Sequence, residues 1–238
     1  MKTNDYLKRI DALFAEWKQR TTIRLSGQEA PRISFNEDGI VNPDAWFQLP
    51  ERKRILFVLK ETHDDGRENW SLTDFLNRDD FWKGRDRQIW RRAAEWTKGL
   101  LATDVQLPIE PYHRLEDADI QQQIQRIAVL NLKKSPGGNS AKSEEIAAYT
   151  ASDIDLIERE IEIIDPYIIL FGGTFEYFKQ AYKKINLQMT DDLHCCHGML
   201  AGRERLFIDY WHPANRYPPI VMYYGITNIY QAGCARFQ

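Results

Sequence analysis

The sequence predicts an α/β fold, a three-layer α/β/α arrangement around a four-stranded parallel sheet. Four short apolar runs are bounded by polar or charged residues, which is typical of strands buried on both faces, and such strands belong to parallel sheets. Longer amphipathic stretches lie between these runs, so that strands and helices alternate along the chain. The chain has 238 residues, of which 43% are hydrophobic, and can therefore bury a sizeable core.

The first predicted element is an amphipathic helix over residues 5–18, where apolar side chains recur at spacings of three and four. A segment rich in proline and glycine follows as far as residue 50 and is expected to form loops and turns. The predicted strands cover residues 54–59, 127–130, 167–171 and 206–208. The remaining predicted helices cover about residues 86–101, 143–164, 174–185 and 218–231.

The clearest helical pattern lies in residues 152–164, where isoleucines share one face. Ser152 is expected to cap this helix, with Asp155 completing a capping box. The helix is expected to end at Asp165-Pro166, because a residue that precedes proline disfavours the helical conformation.

The chain is expected to form one domain, because no linker rich in glycine, serine or proline divides it. We expect an N-terminal helix and extended segment over residues 1–50, followed by an α/β core over residues 51–238. The formal charge of -3 gives no global basic field. Three cysteines cannot build a disulfide framework, and the N-terminal residues are polar. These features predict a cytoplasmic protein without membrane association or an obligate protein partner.

Polar or glycine-rich residues follow each predicted strand, and ligands of open parallel sheets bind at the carboxyl ends of the strands. These residues are Glu61, His63 and Asp64 after the first strand, Asn131, Lys133 and Lys134 after the second, Gly172 and Gly173 after the third, and His212 and Arg216 after the fourth. We therefore expect one edge of the sheet to hold carboxylates, an amide, cations and a histidine.

This order of strand ends resembles the uracil-DNA glycosylase superfamily. The resemblance covers residues 54–232, and its most specific pieces are Asn131 after an apolar strand, the Phe-Gly-Gly-Thr turn at 171–174, and His212-Pro213-Ala214. It implies a hydrolase of DNA repair, which excises uracil or a related deaminated or damaged base from single- or double-stranded DNA. Such enzymes flip the base out of the stack and cleave its N-glycosidic bond.

The resemblance also implies roles for individual residues. Glu61 would orient the attacking water, with Asp64 in reserve. Asn131 would recognise the Watson–Crick edge of the flipped base, with His63 beside it. His212 would stabilise the negative charge that develops on the departing base.

The loop after the second strand is the best phosphate candidate, because glycines let backbone amides approach an anion and lysines supply charge. The residues expected to hold the nucleic-acid backbone are Lys133, Lys134, Ser135, Gly137 and Arg216. This chemistry needs no cofactor or metal. The family branch with glutamate in the first motif normally holds an iron–sulfur cluster on four cysteines, whereas this chain has three, so no cluster is expected.

Two other functions remain open. Lys60 stands in the first motif where the family usually has a small residue, which favours a non-catalytic member that binds a nucleotide or nucleic acid. A hydrolase of free nucleosides or nucleotides is the second alternative.

Each candidate residue also has an ordinary structural interpretation, as a solvated loop residue or as a side chain that satisfies nearby backbone. The adjacent Cys195 and Cys196 would point to opposite faces of a strand, which favours a half-buried strand over a metal site. The segment with Trp90, Trp96 and Arg92 is predicted to pack a helix onto the core rather than to bind single strands.

Overall fold

The structure is a computed structural model that describes residues 3–63, 69–78, 84–138, 140–183, 187–189 and 194–236. Its helices are α1 (Thr3–Trp17), α2 (Pro43–Gln48), α3 (Leu72–Leu76), α4 (Gly84–Ala102), α5 (Asp117–Ile124), α6 (Ser143–Ile164), α7 (Phe175–Ala181) and α8 (Pro219–Arg236), with a short 3-10 helix at Glu51–Lys53. Its strands are β1 (Thr22–Leu25), β2 (Gln28–Pro31), β3 (Gly39–Ile40), β4 (Ile55–Leu59), β5 (Ile127–Asn131), β6 (Ile168–Gly172), β7 (Leu187–Met189), β8 (Cys195–Leu200) and β9 (Arg203–Tyr210).

The main sheet is mixed and has seven strands in the described residues, in the order β3-β5-β4-β6-β9-β8-β7. The four runs predicted as strands become β4, β5, β6 and β9, which pair in parallel. Strands β3, β8 and β7 add antiparallel pairs at the two sides. The sheet is thus larger than the purely parallel four-stranded sheet expected, although the α/β class is as predicted.

Tight turns account for part of this difference. Strands β8 and β9 form a hairpin whose two-residue loop is Ala201-Gly202, and both residues have positive φ, of 50° and 72°. The loop Ser26-Gly27 joins β1 to β2 in the same way, and these two strands form a separate two-stranded sheet. Turns with two positive φ values match the twist of antiparallel strands and reverse the chain within two residues.

Helices cover both faces of the sheet, because the strands that are buried throughout send alternate side chains to two cores. Leu56 and Val58 of β4 pack with α1, α6 and α7, whereas Ile55 and Phe57 pack with α4, α5 and α8. Cys195 and Cys196 divide between the two cores in the same way, which confirms the prediction of a strand there.

The helix around Trp96 packs onto the core as predicted. Trp96 is fully buried, and Trp90 is 6% exposed. Both belong to the core that lies beneath α4, α5 and α8. Among the described residues, no helix combines the length and apolar character that crossing a membrane requires.

The expectation that Ser152 caps a helix is wrong, because α6 is continuous from Ser143 and Ser152 lies in its middle. Asp155 completes no capping box and instead accepts hydrogen bonds from Arg20. The end of the helix is as predicted. Asp165 adopts a left-handed conformation, with φ of 53°, and donates its N–H to the Ile161 carbonyl.

Candidate functional site

The carboxyl ends of the parallel strands lie side by side, and two of them continue together beyond the sheet. Leu59 at the end of β4 is opposite Asn131 at the end of β5. Past these residues, the N–H of Lys133 donates to the Lys60 carbonyl over 2.9 Å, and the N–H of Gly137 donates to the Thr62 carbonyl over 2.8 Å. Backbone hydrogen bonds therefore hold the two chain segments that carry most of the predicted site residues.

Glu61 and Lys133 form a largely buried ion pair in these segments. The Lys133 Nζ lies 2.6 Å from Glu61 Oε2 and 3.1 Å from an oxygen of Glu145 on α6, and the side chains of Lys133 and Glu61 are only 6% and 7% exposed. Burial lowers the pKa of Lys133, but the carboxylates of Glu61 and Glu145 outweigh this effect, so the pKa is raised overall. Lys133 therefore carries its charge at neutral pH, and two carboxylates of the protein already pair with it.

The loop after β5 encloses Glu61 because Gly137 has no side chain. A Cβ at Gly137 would lie 1.9 Å from the carboxylate carbon of Glu61. His63 is exposed and forms a parallel bridge with Gly137, and its Nδ1 lies 3.4 Å from the Gly138 carbonyl oxygen. Gly137 thus accommodates a carboxylate of the protein at the position expected to approach a phosphate.

Asn131 is fixed by an acid that the sequence analysis did not identify. Asp38 Oδ2 accepts hydrogen bonds from the backbone N–H of Asn131, over 2.6 Å, and from its side-chain Nδ2, over 3.2 Å. Asn131 is 3% exposed. The amide nitrogen therefore faces Asp38, and the amide oxygen is on the opposite side of the group. Asp38 lies in the segment expected to be loop, where a single acid next to glycine is an ordinary turn signal.

Lys134 lies inside the protein, between the carboxylates of Asp38 and Glu160. Its Nζ is 2.7 Å from Glu160 and 4.9 Å from the ring centre of Trp17, and its side chain is 1% exposed. Burial raises the pKa of Glu160 well above its usual range, which Lys134 opposes and Asp38 reinforces. Contact with a nucleic-acid backbone requires a lysine on the surface. Lys134 is instead buried, and its ammonium pairs with carboxylates inside the protein.

The two other residues in this region that were predicted to contact the nucleic-acid backbone differ in their exposure. Ser135 is buried, and its hydroxyl donates to the Ser34 carbonyl over 2.9 Å. Arg216 is exposed on the loop after β9. Asp64, the reserve acid, lies outside the described residues.

His212 is held at the same edge by its own loop. Its Nδ1 accepts the backbone N–H of Ala214 over 3.0 Å, so the neutral ring carries its proton on Nε2. A Cβ at Gly172, at the end of β6, would lie 3.5 Å from the His212 Cα, so this loop packs directly on the neighbouring strand end. The half-buried ring therefore has one defined tautomer at a fixed place on the rim.

An arginine on α4 fixes the rest of this loop. Arg92 donates hydrogen bonds to the carbonyl oxygens of Pro213, over 2.8 Å, and Tyr217, over 3.2 Å, and also to that of Asn215. Carbonyl groups that converge on one guanidinium restrain the backbone between them. The helical pattern of residues 86–101 gives no signal for this long-range contact of Arg92.

Two aromatic side chains flank His212 and Arg216 on the surface. Trp211 and Tyr217 are 54% and 50% exposed, and their rings meet edge to face with centroids 5.2 Å apart. Trp211 was not among the residues predicted for the site. An available signal was a large aromatic residue directly after a predicted strand, outside any apolar periodicity.

The fold and the edge together define a class of site: an open α/β sheet with an acid, an amide and a histidine at its carboxyl edge. Asn131 is the last residue of β5, and Glu61 lies just beyond the end of the neighbouring β4. His212 lies just beyond the end of β9, which is two strands away from β4 in the sheet. Comparison with models of known protein families and with curated proteins finds no match for the chain. What this edge can do chemically is therefore inferred from the residues at the edge alone.

Proposed function

We propose that the protein is a DNA glycosylase that hydrolyses the N-glycosidic bond of uracil or a related deaminated or damaged base. The proposal includes a uracil-DNA glycosylase-like arrangement for the four parallel strands. The observation that carries it is the carboxyl edge, where Glu61, Asn131 and His212 follow three of these strands. Acid, amide and histidine are the three side-chain types that the resemblance to the uracil-DNA glycosylase superfamily implies for base excision.

Glu61 and His212 would divide the chemistry. Glu61 would accept a hydrogen bond from the water that attacks the sugar carbon. His212 would donate a hydrogen bond from its Nε2–H to the departing base, where negative charge develops as the glycosidic bond breaks. The hydrogen bond from Ala214 to Nδ1 supports this role, because a donor that is already oriented needs little reorganisation in the transition state.

Asn131 would recognise the base, and Asp38 would orient it. With its nitrogen bound to Asp38, the amide turns its oxygen away from that acid, as an acceptor for the N3–H of a uracil-like base. Asp38 acts in this scheme as a positioning residue, because it contacts Asn131 rather than the base.

The exposed residues of the late loop would contact the nucleic acid. Trp211 and Tyr217 are exposed aromatic side chains that could stack on bases, and Arg216, which precedes Tyr217 in the chain, adds an exposed positive charge. Lys134 has no part in this contact, because its ammonium is buried between two carboxylates.

A non-catalytic base- or nucleotide-binding protein is the second candidate, and one observation favours it. The Glu61 carboxylate is paired with Lys133, and its side chain is only 7% exposed, which restricts the approach of water. Such a protein would bind the same ligands without turnover.

The test is a cleavage assay on oligonucleotides that carry one uracil, single-stranded or paired with G or A, followed by alkaline cleavage of the abasic product. We expect cleavage by the natural chain. Loss of the proposed charge stabilisation in His212→Ala should lower the rate by about 10²-fold or more. Glu61→Gln should also lose activity, and it should fold, because Glu145 still pairs with Lys133.

His113→Ala and Glu162→Gln are the matched controls, because both residues are exposed and neither belongs to a loop that follows a parallel strand. They should cleave like the natural chain. Binding of a uracil oligonucleotide without product after long incubation would favour the non-catalytic candidate. Full activity in the folded double variant Glu61→Gln/His212→Ala would overturn the proposed roles.

A further inference from the structure

A second site lies at the opposite edge of the sheet, where the parallel strands begin. A surface pocket of about 300 Å³ is formed there by residues that precede β4 and β6 and by the turn into β9. This volume is at the small end of the range for small-molecule sites. Its charged and aromatic lining consists of Glu51, Arg52, Asp165, Tyr167, Arg203, Glu204 and Arg205.

Arg205 is the unusual member of this lining. It is 2% exposed, and its Nη1 donates to Asp165 over 2.8 Å and to the Pro166 carbonyl. Its Nε and Nη2 are buried without a hydrogen-bond partner in the part of the chain that the structure describes. Burial of a guanidinium whose N–H groups lack hydrogen bonds is unfavourable. Binding of a ligand that supplies acceptors to these N–H groups would therefore stabilise the protein.

The surrounding charges favour a negative acceptor. Three guanidinium groups share the Asp165 carboxylate. Asp165 pairs with Arg205 and Arg203, and it lies 3.7 Å from Arg54. The acid Glu204 is paired with His197, at 2.9 Å. The third acid of the lining, Glu51, pairs with Arg203 at 3.0 Å, so every acid of the pocket has a partner, whereas the Nε and Nη2 groups of Arg205 have none among the described residues.

We propose that this pocket binds a small molecule through a phosphate or carboxylate group that meets the Nε–Nη2 edge of Arg205. That edge presents two parallel N–H donors, which match two oxygens of either group. Arg52 lies over the Tyr167 ring, 5.3 Å from its centre, and forms a flat wall for the rest of the ligand. The site is independent of the carboxyl edge and of glycosylase activity.

The test is a titration of the full chain with inorganic phosphate and, separately, with succinate, at constant ionic strength. The arginine Nε–H resonances of the ¹⁵N-labelled protein give the readout, and the Arg205 resonance is expected to shift with saturation. A response to phosphate alone identifies a phosphate ligand, and a response to succinate alone identifies a carboxylate.

Arg205→Lys should weaken binding by about tenfold, because lysine keeps the charge but lacks the paired donors. Arg52→Ala changes an exposed side chain of the pocket and should weaken binding without affecting folding. Arg24→Ala, which removes an exposed arginine on β1, should bind like the natural chain. No shift of the Arg205 resonance with either anion, or equal weakening in all three variants, would overturn the proposal.

Discussion

At the scale of single residues, the ion pair between Glu61 and Lys133 depends on a position without a side chain. Gly137 faces the Glu61 carboxylate so closely that any Cβ would overlap it, whereas a Cβ at the adjacent Gly138 would meet nothing within 4 Å. The two glycines therefore differ in what they do, although they are neighbours in one loop. Gly137 keeps the carboxylate beside Lys133, and Gly138 lies on the surface.

Gly137→Ala should displace Glu61 from Lys133, and Gly138→Ala should not. We expect Gly137→Ala to lower the free energy of unfolding by about 1–3 kcal/mol, the usual cost of forcing a methyl group into a packed site. Urea unfolding followed by circular dichroism measures this, and the uracil cleavage assay should show a parallel loss of activity. Equal stability of the two variants would contradict the packing seen around Glu61.

The sequence could indicate some of these residues and not others. Glu61, Asn131 and His212 were predicted from one rule, that parallel strands present their ligand-binding residues at their carboxyl ends. Asp38 reaches the same region from a distant part of the chain, and Glu145 reaches it from the first turn of α6; no local pattern distinguishes either side chain. The burial of Lys134 was equally invisible, because its partners Asp38 and Glu160 are far apart in sequence.

At the scale of elements, helix α4 stabilises the loop after β9. Arg92 donates to three carbonyl groups of that loop, and burial lowers the pKa of its guanidinium, without removing its charge at neutral pH. The position of His212 is therefore determined by a helix that lies far from it in sequence.

Arg92→Gln should loosen this loop while the helix stays in place. Loss of charge-assisted hydrogen bonds of about 1.5–3 kcal/mol should make the backbone amides of Ala214 and Asn215 exchange with solvent at least tenfold faster. Arg87→Gln is the control, because Arg87 is on the same helix and pairs with Asp117 at the surface. Hydrogen exchange measured by NMR distinguishes them, and similar rates in both variants would show that Arg92 does not restrain the loop.

Strands could be predicted from the sequence where burial on both faces requires an uninterrupted apolar run. Three of the four parallel strands, β4, β5 and β6, are buried throughout, and β9 is buried in its middle, so their apolar runs are visible in the sequence. The strands that were missed, such as β3 with two residues, are short or depend on hairpin turns. Ser152 resembled a cap because its residue type suits one, but the apolar face of α6 continues on its N-terminal side through Ile146 and Tyr149.

At the scale of the whole molecule, the N-terminal segment is part of the core rather than an addition to it. The buried side chains of α1 belong to the same apolar cluster as those of β4, β5 and α6. The Tyr6 hydroxyl accepts the N–H of Ile40, and Trp17 lies against the ammonium of Lys134. The boundary expected at residue 50 thus separates residues that pack together, and the buried charges beside the carboxyl edge depend on both sides of it.

Two leucines of α1 test this unity. Leu13 is 1% exposed and Leu7 is 43% exposed, so the same substitution removes a core contact at one position and a surface contact at the other. Leu13→Ala should lower the free energy of unfolding by about 2–5 kcal/mol, whereas Leu7→Ala should change it by less than about 0.5 kcal/mol. Because α1 and β5 share one core, hydrogen exchange of the β5 amides should accelerate in Leu13→Ala by the factor that corresponds to the lost stability. Unchanged exchange in β5, with exchange in α1 alone accelerated, would instead mean that the first 50 residues unfold as a separate unit.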